Sequence, residues 1–282
     1  MPTPHPPRHI SFLHNTGTIL QTSDGKDVEV WELRHNSNNI ILSQWAKYFR
    51  EHYCKDSDID SLRSGTGFSR RDYLNNLKFP SASHGTGPGA RAGDFGEILV
   101  ADFLEFIDNY EVLSRKTRYN NRINRDTPDA GSDVIGFRFI NYPNPNPIDE
   151  LAIFETKAKF TGRINDTKTK QRLQDAIDGS VIDIDRFRIA ASLNAMKQRF
   201  IDKNMDNEKS KVERFQNETD HPYKMVNGAV ALVCNSNYST IIATSANSNN
   251  HPNKVNLRLI IIKGDNMMNL VRELYRRAAN EA

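Results

Sequence analysis

The chain has 282 residues, a formal net charge of +3 and a hydrophobic share of 37%, enough for one elaborated α/β body or about two average domains. The near balance of 38 Lys and Arg against 35 Asp and Glu neither requires nor excludes a polyanionic partner. Apolar runs such as residues 257–262 fall well short of the ~20 residues of a membrane-spanning helix, and Cys54 and Cys234, outside any C-x-x-C pair, exclude a disulfide framework or thiolate zinc site.

The opening MPTPHPPRH lacks the apolar core and cleavage site of a secretory signal, so a cytoplasmic location is expected. Its prolines predict a mobile tail over residues 1–9 and prevent the helix that would aim His5 and His9 at one metal. Residues 10–34 carry short β-type runs with Asp24-Gly25 as the turn. Residues 40–53 are expected to be helical, with Ile41, Trp45, Tyr48 and Phe49 on one side, and a second helix starts near Ser69 and stops at Pro80. SASHGTGPGARAG (81–93) predicts a glycine-rich linker between an accessory region, 1–80, and the main domain, 81–282. Within it Gly87, Gly89 and Ala92 match G-x-G-x-x-A, but no strand precedes them and no Walker lysine follows, so Arg91 reads as a solvated loop arginine.

From there helix and strand alternate as in an α/β layer fold. The first helix, 94–109, has an apolar arc of Phe95, Leu99, Val100, Phe103, Leu104 and Phe106, with Glu97 about 20° beyond its edge. Strands are expected at 111–119, 132–140 and 151–160, helices at 168–178 and 186–203, strands at 228–234 and 255–262, and a last helix capped by Asp265. Asp183 and Asp185 read as solvated helix-end acids, and Lys197 to Arg214 as an exposed helical face.

The segment LAIFETKAKF carries the chemistry. Alternation puts Glu155 and Lys157 on the same strand face, ~6.6 Å apart along the backbone. Asp133 opens a second β-prone run that would pair antiparallel with it, supplying another acid. Two carboxylates ~4 Å apart repel by ~4 kcal/mol at an effective dielectric of 20, so an ionised pair calls for a cation between them. Oxygen donors favour magnesium or manganese over zinc, and Glu97 can reach the rim of the sheet as a third acid.

Gly96-Glu97, Asp133 and Glu155-Thr156-Lys157 resemble the core of the PD-(D/E)xK nuclease superfamily. The segments GDFGEILVADFLE, GSDVIGF and ELAIFETKAKF resemble the HamA family of Hachiman anti-phage defence, over about residues 90–275. The resemblance implies a restriction-endonuclease-like α/β core, a mixed central sheet flanked by helices, preceded by the accessory region. It also implies metal-dependent DNA cleavage with little sequence preference, and a superfamily-two, HamB-like helicase as partner. Asp133, Glu155, Glu97 and the Thr156 carbonyl would hold magnesium, with manganese able to substitute, while Lys157 orients the attacking water. Pro128-Asp129 lies in the loop upstream, which makes Asp129 a rival ligand, and Gln171 has Asp175 rather than a tyrosine four residues on, which leaves it unassigned. Arg115, Lys116, Arg118, Arg122 and Arg125, with Lys159, Arg163, Lys168, Lys170 and Arg172, would contact the nucleic-acid backbone. The competing reading is a non-catalytic DNA-binding or helicase-adaptor subunit on the same scaffold.

Overall fold

The computed structural model describes residues 5–113, 119–120, 122, 124–127, 131–162 and 166–282. Its strands are β1 (Leu13–Gln21), β2 (Asp27–Leu33), β3 (Val134–Arg138), β4 (Glu150–Lys159), β5 (Lys224–Cys234) and β6 (Leu257–Gly264). They form one mixed sheet in the order β1-β2-β6-β5-β4-β3. The four inner strands run parallel, and β1 and β3 close the edges antiparallel. β5 and β6 are almost continuously apolar because helices cover both faces of the sheet.

The longer helices are α1 (Asn39–Arg50), α2 (Gly87–Phe106), α3 (Arg172–Asp183), α4 (Arg186–Asp202), α5 (Asp206–Glu213) and α6 (Met267–Asn280). On one face Phe154, Val230, Leu232 and Ile260 meet Trp45 and Phe49 of α1, Phe95, Leu99 and Phe103 of α2, and Leu274 of α6. On the other, Ala229, Ala231 and Ile261 meet Leu173, Ala176 and Ile177 of α3, while Ile135, Leu151 and Ile153 meet Ile189, Leu193 and Phe200 of α4. Each Val, Leu, Ile or Phe among these contributes about 1.5–3 kcal/mol on full burial. The N-terminal hairpin and α1 share this sheet and core with the rest of the chain, β2 pairing directly with β6.

Several expectations are corrected. Residues 87–93 are the first turns of α2 rather than a linker. Gly87 permits the tight approach, since a Cβ there would lie 2.4 Å from the Ser81 carbonyl oxygen, and Pro88 is tolerated where no intrahelical N–H is needed. Of the strand expected at 111–119, Glu111 forms a bridge to Phe137, and residues 114–118 lie outside the described set. His9 is no part of a tail: it stacks on Trp45 at 4.5 Å and meets Asp102 Oδ2 through Nε2 at 2.8 Å, fixing the 3-10 turn Arg8–Phe12. Asp265 does not cap α6; it accepts from Asn235 Nδ2, and Asn266 turns the chain into the helix with φ 48°. Nor is 197–214 an exposed face, because Lys211 and Arg214 are buried. Arg214 donates to Asp149 and to the carbonyls of Asn146, His221 and Pro222, tying the end of α5 to the loop before β4.

Both cysteines are buried free thiols, and among the described residues no helix is long and apolar enough to cross a membrane.

Arg122 is the clearest departure. It was expected on DNA, yet its guanidinium forms a bidentate pair with Asp94 of α2 at 2.8 and 3.0 Å, and both side chains are almost fully enclosed. Asp94 also accepts from the Tyr53 hydroxyl at 2.6 Å. Removing one member of a buried pair strands the other, so Arg122→Ala is expected to lower stability by about 3–5 kcal/mol. Lys168→Ala, on an exposed site, should stay within about 0.5 kcal/mol of wild type. Urea unfolding of both variants checks the contrast; equal stabilities would show that Arg122 is not a structural anchor.

Candidate active site

β4 distributes its side chains by alternation. Ala152, Phe154 and Ala158 join the core under α2, where Gly96 brings the helix so close that a Cβ would lie 3.2 Å from Thr156 Cγ2. Glu155 and Lys157 therefore emerge on the opposite face, toward α3. Their partners on β5 are Ala229 and Ala231, small residues that leave room beside them.

Glu155 is only 6% exposed and lies against Gly179 of α3, where a Cβ would come within 2.7 Å of its Oε1. Glycine in a helix interior costs about 1 kcal/mol relative to alanine, and here the carboxylate occupies the missing side chain's space. One helical turn later Asp183 falls on the same face of α3 and is 1% exposed. Its Oδ1 accepts from Arg188 Nε at 2.6 Å, while its Oδ2 is buried without a hydrogen-bond partner among the described residues. Arg188 also donates to the Gly131 carbonyl at 3.1 Å, joining α4 to the approach to β3. Asp185 caps α4 by accepting from the Arg188 backbone N–H at 2.9 Å.

Asp133 stands just before β3, where the pairing of Val134 with Phe154 brings it level with Glu155. Its Oδ2 accepts from the Thr156 backbone N–H at 2.9 Å. Lys157 Nζ donates to Glu155 Oε1. Burial raises the Glu155 pKa, helped by the Asp183 charge and opposed by Lys157. Burial likewise raises that of Asp183, with Asp133 adding to the effect and Arg188 opposing it. For Lys157 burial works downward, but the hydrogen bond and charge of Glu155, with Asp133 and Asp183 behind it, outweigh burial and keep the ammonium protonated.

Of the residues expected at the site, the fold brings together Asp133, Glu155, Thr156 and Lys157. Glu97 lies on α2, across the sheet from Glu155, and accepts from the Tyr119 hydroxyl at 2.6 Å. Lys159 lies 4.0 Å from Asp166, Lys168 is exposed and Lys170 half-buried. Arg115, Lys116, Arg118, Arg163 and Asp129 lie outside the described residues. Asp183 was expected in solvent; the packing of α3 on β4 buries it instead. Together with Arg188 and Gly179 it is the part of the site that sequence reasoning missed, and a glycine four residues before an aspartate on one helix face was the available signal.

Three carboxylates, one with a buried unpartnered oxygen, match a hard divalent cation in donor type. Among the described residues no three His, Cys, Asp or Glu side chains are already spaced as a cation cage; Lys157 and Arg188 occupy oxygens that such an ion would share.

A helix-flanked mixed sheet, with an aspartate opening one strand and Glu-x-Lys on its antiparallel neighbour, is that of a restriction-endonuclease-like core. The chain belongs to the HamA family, whose family model matches residues 8–278. It is thus a protein of the Hachiman anti-phage defence system, in a family that belongs to a multi-subunit assembly. No curated protein matches the chain.

Raised carboxylate pKa values mean that the folded state binds protons more readily than the unfolded one, so this contribution weakens stability as pH rises through the site's titration. In EDTA at pH 7, Asp183→Asn is expected to stabilise the chain by about 0.5–2 kcal/mol. That advantage should shrink as pH is lowered from 7 through the acidic range and the wild-type site takes up a proton. Chemical denaturation across this range checks it; a destabilised variant at pH 7 contradicts a strained buried charge.

Proposed function

We propose that the chain is a magnesium-dependent deoxyribonuclease of low sequence specificity, acting as the effector of a helicase-coupled complex. The observation that carries this reading is the meeting of Glu155, Asp183 and Asp133 beside a protonated Lys157. Asp133, Glu155 and Asp183, with the Thr156 carbonyl, are the groups that would hold magnesium, and manganese should substitute. When bound, the metal polarises the phosphodiester and makes a neighbouring water more acidic. Lys157 Nζ donates a hydrogen bond that orients the attacking water and offsets charge gathering on the phosphorus-bound oxygens. Arg188 aims Asp183 while held to Gly131, and the Thr156 N–H fixes Asp133. Glu97, held by Tyr119, is assigned an outer supporting role. Lys159, Lys168 and Lys170, with Arg115, Lys116, Arg118 and Arg163, supply backbone contacts that fix position without reading bases. A nuclease that reads no bases needs a partner to choose where it cuts, which is the reason for coupling it to a HamB-like superfamily-two helicase.

Plasmid cleavage, with and without the helicase partner, tests this. Magnesium-dependent cutting is expected, abolished by EDTA and reduced on the order of 100-fold or more by Glu155→Ala, Lys157→Ala or Asp183→Ala. Glu97→Gln should lose less. Undiminished cutting by the Glu155→Ala/Lys157→Ala double variant contradicts the assignment. Retained DNA binding with no cutting under either condition favours the adaptor reading instead.

A further inference from the structure

Away from Glu155, a cavity of ≈ 500 Å³ opens between the residues around the short helix Arg70–Tyr73, the start of α2 and the outer face of α6. Arg71, Arg91, Arg125, Arg272 and Arg276 line it together with His84, and among the described residues no carboxylate does. Five guanidiniums from separate stretches of chain repel one another unless something offsets them. Glu273 pairs with Arg276, and Asp126 lies 4.0 Å from Arg125. Arg71, Arg91 and Arg272 form no ion pair with a described carboxylate.

Arg91 separates this cavity from an ordinary basic surface. It is 7% exposed, its Nε donates to the Pro80 carbonyl at 2.8 Å, and its guanidinium lies over the Tyr275 ring at 4.3 Å. Those contacts order the Arg91 side chain at the wall of the cavity before any ligand arrives. Arg125 is fixed in the same way by the carbonyls of Asn75 and Phe79. Ser81 and His84 sit in the turn just ahead of α2, a 20-residue helix whose positive dipole end lies toward the same side. Rigid planar guanidiniums, an approaching helix N-terminus and a volume in the small-ligand range suit phosphate oxygens better than any other common anion. The residues that resemble a dinucleotide loop, Gly87 to Ala92, thus border a basic cavity although they form a helix and follow no strand.

We infer that this cavity is a phosphate-binding site for a nucleotide-sized ligand with several phosphate oxygens, distinct from the acidic site on β4. The inference does not rest on the nuclease reading. The phosphates could come from a free nucleotide or from the phosphorylated end of a DNA strand. Calorimetric titration of the full chain in EDTA, using pyrophosphate, ATP and a short single-stranded oligonucleotide with or without a 5′-phosphate, tests it. Saturable 1:1 binding of pyrophosphate or ATP points to the free nucleotide; preference for the 5′-phosphorylated over the 5′-hydroxyl strand points to the DNA end. Either binding should weaken at least about tenfold in Arg91→Ala and in the exposed pair Arg71→Glu/Arg272→Glu, the second variant guarding against a folding defect in the first. Glu155→Ala should bind as wild type does. No saturable binding of any probe, or binding unchanged in Arg71→Glu/Arg272→Glu, overturns the inference.

Discussion

Two carboxylates buried side by side beneath a glycine are the constraint around which this fold is arranged. Taking one charged oxygen out of water is costly, and a second nearby makes it costlier. The chain offsets that cost locally: Lys157 donates to Glu155, Arg188 to Asp183, and the Thr156 N–H to Asp133. Two of these donors lie on β4 and the third on α4, while the acceptors come from β4, α3 and the residue just before β3, so the site exists only when all four elements are in place. The carboxylates remain raised in pKa even so, because burial outweighs these local donors.

The sheet makes this possible by keeping β4 inside. β5 covers one of its sides, β3 the other, and the parity of the strand then sends Glu155 and Lys157 to one helical layer while its apolar residues anchor the other. On the far face the segment around Tyr119 and Arg122 is bound to α2 through Glu97 and Asp94. Its basic residues thus divide: Arg122 holds the fold together and Arg125 lines a separate cavity. A net charge of +3 conceals this sorting of like charges into buried ties, an acidic centre and a basic pocket.

How much was readable in the sequence follows from the range of each signal. The strand with Glu155 and Lys157, its antiparallel partner opened by Asp133, and the alternation of helix and strand are set by periodicities of two and 3.6 within a few residues. Asp183 was legible only through Gly179 one helical turn before it, because an acid at a helix end otherwise has the same local pattern whether water or a sheet lies beyond it. Arg122 and Arg214 were misjudged for the same reason: a buried ion pair is made by a partner distant in sequence. The glycines in the first turns of α2 read as a linker since their helical role depends on Ser81 packing against Gly87. Membership of the HamA family, matched over residues 8–278, agrees with the resemblance carried by the Glu-x-Lys strand and its neighbours.

The central claim is that Glu155, Asp183 and Asp133 form one cation site. Manganese titration of the full chain, followed by electron paramagnetic resonance of the free ion, tests it without depending on catalysis or on a partner. The account predicts saturable binding that weakens at least about tenfold in Glu155→Gln and in Asp183→Asn, with the fold intact by circular dichroism. Affinity unchanged in both variants, or no binding by the wild-type chain, would contradict it.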